Sequence, residues 1–141
     1  MRSSLKTGLI ASMVMVMGVF AVPGVGQAST STDYPVTGFH LTYGASVLTG
    51  SITWYNRAVR IPGSIRARSS DKHARFRGES ANCYSPLETR YVAVDDERPF
   101  VVEMNCDYPG GFTKVLVGMF EGNTDTLLRA AVCTRQGCVN K

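Results

Sequence analysis

Few residues in this 141-residue sequence are of types that do chemistry, and they are scattered. The chain has two histidines, His40 and His73, and four cysteines, Cys83, Cys106, Cys133 and Cys138. Catalysis by a nucleophile and a base needs a fixed mutual geometry. The local signatures that provide it, HExxH, GxSxG, a P-loop and an EF-hand loop, are all missing. Enzyme function is therefore not expected, and an unrecognised hydrolase stands third among the functional readings. The run Asp95-Asp96-Glu97 has oxygens to offer calcium, but that ion takes about six to eight and three adjacent side chains do not all converge on one ion. A solvated turn is the better reading, and no metal or cofactor is expected.

Binding candidates are more concrete. The stretch GSITWYNRAVRIPGSI, Gly50 to Ile65, contains the only tryptophan and places Tyr55, Asn56 and Arg57 together. In CTRQGC, a Cys133–Cys138 bridge would close a loop presenting Arg135, a geometry that suits a protease inhibitor acting on a trypsin-like enzyme. From Arg57 to Arg77 seven basic residues and His73 face a single acid, Asp71, while Glu79 to Asp107 is mainly acidic. Cross-strand ion pairing between the basic and acidic segments is the favoured reading of this pattern, and a basic sheet face for a polyanionic envelope ligand is the alternative. The leading expectation is a non-catalytic binding domain acting outside the cell or at its surface, and the inhibitor is the runner-up.

The compartment follows from the first residues. Arg2 and Lys6 precede an apolar run from Gly8 to Val22, and Gly26 and Ala28 fit a secretory cleavage site after Ala28. The run is about 15 residues long against the roughly 20 that span a bilayer, so stable membrane insertion is not expected. Removal of the first 28 residues leaves 113, enough for one domain at 29–141, with 13 Lys or Arg against 11 Asp or Glu. That balance gives no reason to expect a nucleic-acid partner. An even number of cysteines in an oxidising compartment favours two disulfides. Four cysteines allow three connectivities and sequence alone does not choose; the favoured pairing is Cys83–Cys106 with Cys133–Cys138.

The elements that must position these residues are short strands. Runs of β-branched and aromatic residues recur between Gly, Pro, Asn and Asp, with no helical period. About eight mostly antiparallel strands are expected, at 36–43, 46–55, 58–68, 73–80, 89–94, 100–105, 113–121 and 126–133. They predict a disulfide-stapled, all-β two-sheet sandwich, with a small barrel as the alternative. Around Trp54 the buried parity flips from even (Ile52, Trp54) to odd (Val59, Ile61, Ile65), which a straight strand cannot do. A hairpin turning at Asn56-Arg57 can, through a two-residue loop or a four-residue loop from Tyr55 to Ala58, and facing positions then sum to 113. A β-bulge is the other solution. The expected core is Leu48, Ile52, Trp54, Val59, Ile61, Ile65, Phe76, Val102, Leu116 and Val132.

The motif Gly50-Ser51-Ile52-Thr53-Trp54-Tyr55-Asn56-Arg57, followed by Val59, resembles a strand pattern of small secreted actinobacterial proteins of unknown function, G-x-hydrophobic-x-Trp/Phe-Tyr-Asn-Arg-x-Val. The resemblance covers the first half of the chain beyond Ala28 and implies an extracellular β-fold without implying an activity. The cysteine spacings differ from those of subtilisin-inhibitor-like proteins, and their Met-Cys-Pro segment is absent.

Overall fold

A computed structural model describes residues 33–141, so the expected signal peptide and cleavage site and Ser29 to Thr32 lie outside the described residues. Apolar–polar alternation between turn residues gives nine strands: β1 (Val36–Tyr43), β2 (Ser46–Trp54), β3 (Ala58–Arg66), β4 (Lys72–Glu79), β5 (Glu88–Val92), β6 (Glu97–Asn105), β7 (Lys114–Glu121), β8 (Leu127–Thr134) and β9 (Gly137–Asn140). They form a four-stranded sheet in the order β1-β2-β3-β6 and a five-stranded sheet in the order β9-β8-β7-β4-β5. Every strand pairing is antiparallel. The sheets do not join into a barrel. At one rim β1 lies beside β8 and β9 without pairing, and there the Arg129 guanidinium sits 5.0 Å from the Tyr43 ring centroid.

The parity flip at Trp54 is a hairpin. Val47 pairs with Arg66, Leu48 with Ile65, Gly50 with Gly63 and Trp54 with Val59, each pair summing to 113. The ladder skips Ser51 and Ile52 opposite Pro62 and Ile61, where proline brings no N–H. The loop is the wider of the two forms: the Tyr55 N–H donates to the Ala58 carbonyl at 2.8 Å, and neither Asn56 nor Arg57 has a positive φ. Pro99 is accommodated because β6 is an edge strand. The ninth strand, β9, is additional to the eight expected. The tail after CTRQGC pairs with β8, and Cys138 lies directly opposite Cys133.

Both disulfides join the expected partners. Cys83 lies between β4 and β5, and Cys106 follows β6, so the first bridge ties one sheet to the other.

The core fills the space between the sheets. Its centre is a row across the four-stranded sheet, Phe39–Gly50–Gly63–Phe100, in which two phenylalanines on outer strands fold over two glycines on inner ones. Phe76 of the opposite sheet meets both rings, with centroids 6.2 Å from Phe39 and 5.3 Å from Phe100. The glycines are required by space. A Cβ on Gly63 would lie 2.4 Å from the Thr49 carbonyl oxygen and 2.8 Å from the Phe100 ring, and one on Gly50 would lie 2.6 Å from the Pro62 oxygen. Gly63→Ala is expected to destabilise by about 1–3 kcal/mol in a urea titration. Gly38→Ala, whose Cβ would meet nothing nearer than 3.8 Å, should stay within about 0.5 kcal/mol in the same measurement.

Eight of the ten residues expected in the core are buried. The other two, Leu116 and Val132, are corrected by the structure: both are half-buried on the outer face of the five-stranded sheet. In KVLVGMF both faces of β7 are apolar, so Val115, Val117 and Met119 point inward and Leu116, Gly118 and Phe120 point outward.

Candidate functional site

Tyr55, Asn56, Arg57 and Arg135, far apart in sequence, meet at one end of the sandwich against the loop from Cys106 to Thr113. There the β2–β3 turn and the β8–β9 turn lie side by side. The Gly110 N–H donates to Asn56 Oδ1 at 3.3 Å, and Arg57 Nη1 donates to the Asp107 carbonyl at 2.8 Å. Arg135 donates to the Phe112 and Gly110 carbonyls, both at 2.8 Å, with its guanidinium 5.3 Å from the Trp54 ring centroid. Tyr55 packs edge-on against Tyr34, centroids 4.8 Å apart. The partners these side chains find are the protein's own, and together they close the end of the core over Trp54. To present Arg135 to a protease, both hydrogen bonds and the contact with Trp54 would have to break.

The basic run from Arg57 to Arg77 does not make one surface. Arg60 and Arg66 lie on the outer face of the four-stranded sheet, where Arg60 pairs with Glu103 at 3.1 Å directly across the ladder and Arg66 donates to the Ala45 carbonyl at 3.3 Å. Arg75 and Arg77 lie on the outer face of the other sheet. Arg75 pairs with Asp125 at 2.5 Å, and its guanidinium sits 4.2 Å from the Phe120 ring centroid. Arg77 makes no ion pair among the described residues. The histidines are equally separated: His40 is exposed on β1, and His73 is buried on β4.

Lys72 is the one lysine in the interior among the described residues, 2% exposed at the start of β4. Its ammonium donates to Ser70 Oγ at 2.7 Å and to the Ser70 and Arg68 carbonyls, and pairs with Glu121 at 3.3 Å. The Ser70 hydroxyl, and after it Lys72, hold the Glu121 carboxyl below the usual glutamate range. Because the folded value lies below the unfolded one, this contribution is complete above the unfolded value of about 4.3 and fades as pH falls through the folded one. Melting temperature is expected to decline through that acid window, and Glu121→Gln should flatten this part of the profile.

The outer faces of the two sheets differ in chemistry. That of the four-stranded sheet is mainly Thr, Ser and charged residues, as alternation predicts. That of the five-stranded sheet has an apolar centre on β7 and β8 flanked by charged side chains on β4, with rows Tyr91–His73–Phe120–Leu127, Arg75–Gly118–Ala130 and Arg77–Leu116–Val132–Val139. Between these rows lies a trough of about 310 Å³ walled by Leu116, Val132, Leu127 and Phe120, with Arg75, Arg77 and Leu87 at its sides. At one end its floor is the Phe120 ring and the Leu127 side chain folded over the buried Gly118, where a Cβ would lie 2.7 Å from the ring and 3.2 Å from Leu127. The Phe120 ring is held in place by stacking on His73, 5.1 Å between centroids and 10° between planes. His73 Nδ1 is 2.5 Å from the Gly122 carbonyl and donates to it, which fixes the ring. No carboxylate lines the trough.

The chain matches no protein-family model, no curated protein and no solved structure.

No group of three or more His, Cys, Asp or Glu among the described residues is placed to hold a metal ion. The Asp95 turn is tied by backbone hydrogen bonds, from Asp95 N–H to the Ala67 carbonyl at 2.9 Å and from Ala67 N–H to the Asp96 carbonyl at 3.0 Å. Sequence reasoning misses the trough because it assigns Leu116 and Val132 to the core. The available signal is the length of the apolar run around Gly118, which supplies more apolar residues than one face of a strand can bury.

Proposed function

We propose that this protein is a non-catalytic binding domain acting outside the cell, and that the outer face of the five-stranded sheet is its binding surface. The observation that carries this reading is the apolar trough at Leu116, Gly118 and Val132, where a solvent-facing sheet surface would ordinarily be polar. Its volume of about 310 Å³ falls at the lower end of the roughly 300–1,000 Å³ of small-molecule sites. The two disulfides support an oxidising compartment, and no helix among the described residues is long and apolar enough to cross a membrane. Secretion through the N-terminal signal, with cleavage after Ala28, is part of the proposal.

The test is capture of envelope and culture-supernatant components on the immobilised protein. Leu116→Glu in the trough is compared with Val101→Glu, an exposed apolar position on the four-stranded sheet, and with a double Asn56→Ala, Arg57→Ala variant at the hairpin tip. With melting temperatures matched, capture should survive the last two changes and be lost with Leu116→Glu. Undiminished capture by Leu116→Glu sinks the reading.

A further inference from the structure

We propose that the trough takes the alkyl chain of a single-chain amphiphile and that Arg77 binds its carboxylate head, making the ligand class long-chain fatty carboxylates. The inference deepens the proposed function and rests on the outer face being the binding surface.

The charge count decides the head group. Two arginines border the trough and no acid does. Arg75 is neutralised by Asp125 and engaged with the Phe120 ring, whereas Arg77 is exposed and makes no ion pair among the described residues. One uncompensated guanidinium beside an apolar channel matches one negative charge on an apolar chain. A guanidinium fork also fits a carboxylate through two parallel hydrogen bonds. A phosphate monoester dianion would leave about one charge without a partner.

The register sets the direction. Arg77 lies opposite Leu116, at one end of the trough, and Phe120 and Leu127 lie at the other. From Leu116 to Phe120 the strand rises about 14 Å, at roughly 3.4 Å per residue. The head therefore sits at Arg77, and the tail lies between Leu116 and Val132 with its end against Phe120 and Leu127, whose side chains fold over Gly118. The trough is open on its solvent side, so a slender chain seats there without displacing core residues. Leu87, 45% exposed beside Arg77, covers the start of the tail.

The experiment titrates three probes, each below its micelle-forming concentration, into protein purified after expression of the full chain: dodecanoate, hexanoate and dodecyltrimethylammonium. Calorimetry reads binding, and sedimentation reads molecular size. Dodecanoate is expected to bind one to one, with hexanoate and the cationic amphiphile each at least about tenfold weaker. Arg77→Gln should weaken dodecanoate by roughly ten- to a hundredfold and leave the cationic amphiphile unchanged or tighter, while Arg60→Gln on the opposite outer face changes nothing. Equal affinity for the two head groups, or no effect of Arg77→Gln, overturns the carboxylate assignment and leaves the trough as the binding surface. If no amphiphile binds while capture from supernatants still depends on Leu116, the ligand class is wrong and the proposed function stands. If wild type is a dimer that Leu116→Glu makes monomeric, a second copy covers the face and the inference fails. A surface role for neither Leu116 nor Arg77 in any arm removes the proposed function itself.

Discussion

Trp54→Ala is expected to destabilise the fold by about 3–5 kcal/mol, at the top of the range for a single truncation in the core. Trp54 is 1% exposed, its indole N–H donates to Thr37 Oγ1 at 3.0 Å, and Arg135 lies over its ring. Truncation would leave a cavity, strand Thr37 without its donor and release one anchor of the loop from Cys106 to Thr113. Typical domains are stable by only about 5–15 kcal/mol, so the variant should melt many degrees lower, at roughly 4–8 °C per kcal/mol. Urea unfolding followed by circular dichroism checks this, with an unchanged slope confirming that the folded state is otherwise retained. Trp54→Phe keeps most of the volume and should cost markedly less. A loss below about 1 kcal/mol for Trp54→Ala would mean that the indole is not the packing element the geometry makes it.

The second large effect is loss of the Cys83–Cys106 bridge. It closes 23 residues of sequence and joins the two sheets, so a double Cys83→Ala, Cys106→Ala variant should lose about 3 kcal/mol on the chain-entropy scale. Removing Cys133–Cys138, with a separation of 5, should cost about 2 kcal/mol, because closing a short loop restricts the unfolded chain less and the β8–β9 ladder already holds the hairpin in the folded one. Thermal unfolding of the two variants side by side decides the order. Equal or reversed losses would show that the inter-sheet tie carries no special weight.

The Trp54 hairpin was legible because parity is a local property. Side chains alternate along a strand, so a flip from Ile52 and Trp54 to Val59 and Ile61 has few geometric solutions, a hairpin or a bulge, and the strand pairing decides for the hairpin. The cysteine pairing was favoured but not fixed by sequence: Cys133 and Cys138, near in sequence, come together through one turn, and three connectivities stay open until the fold is known. The glycine–phenylalanine row was not legible. Phe39, Gly50, Gly63 and Phe100 lie on four strands, and nothing in any one segment says that a ring from β1 will occupy the space a glycine leaves on β2.

The candidate site divides along the same line. Tyr55, Asn56, Arg57 and Arg135 stand out in sequence as polar and aromatic residues at turns, and the fold brings them together, yet the donors and acceptors of Asn56, Arg57 and Arg135 meet backbone groups of the loop from Cys106 to Thr113. The trough does not stand out, since Leu116 and Val132 look like core residues until the sheet order is known.

The all-β class, most of the strands and the pairing expected of the hairpin follow from the chain alone, because alternation and turn chemistry act along it, whereas the choice among three disulfide connectivities is made by the fold. Which face of β7 and β8 lies against the other sheet, and which is left to solvent, is settled by the packing of one sheet on the other. An apolar run buried on both faces and one buried on a single face read alike, and packing between sheets, which no segment contains, makes the difference.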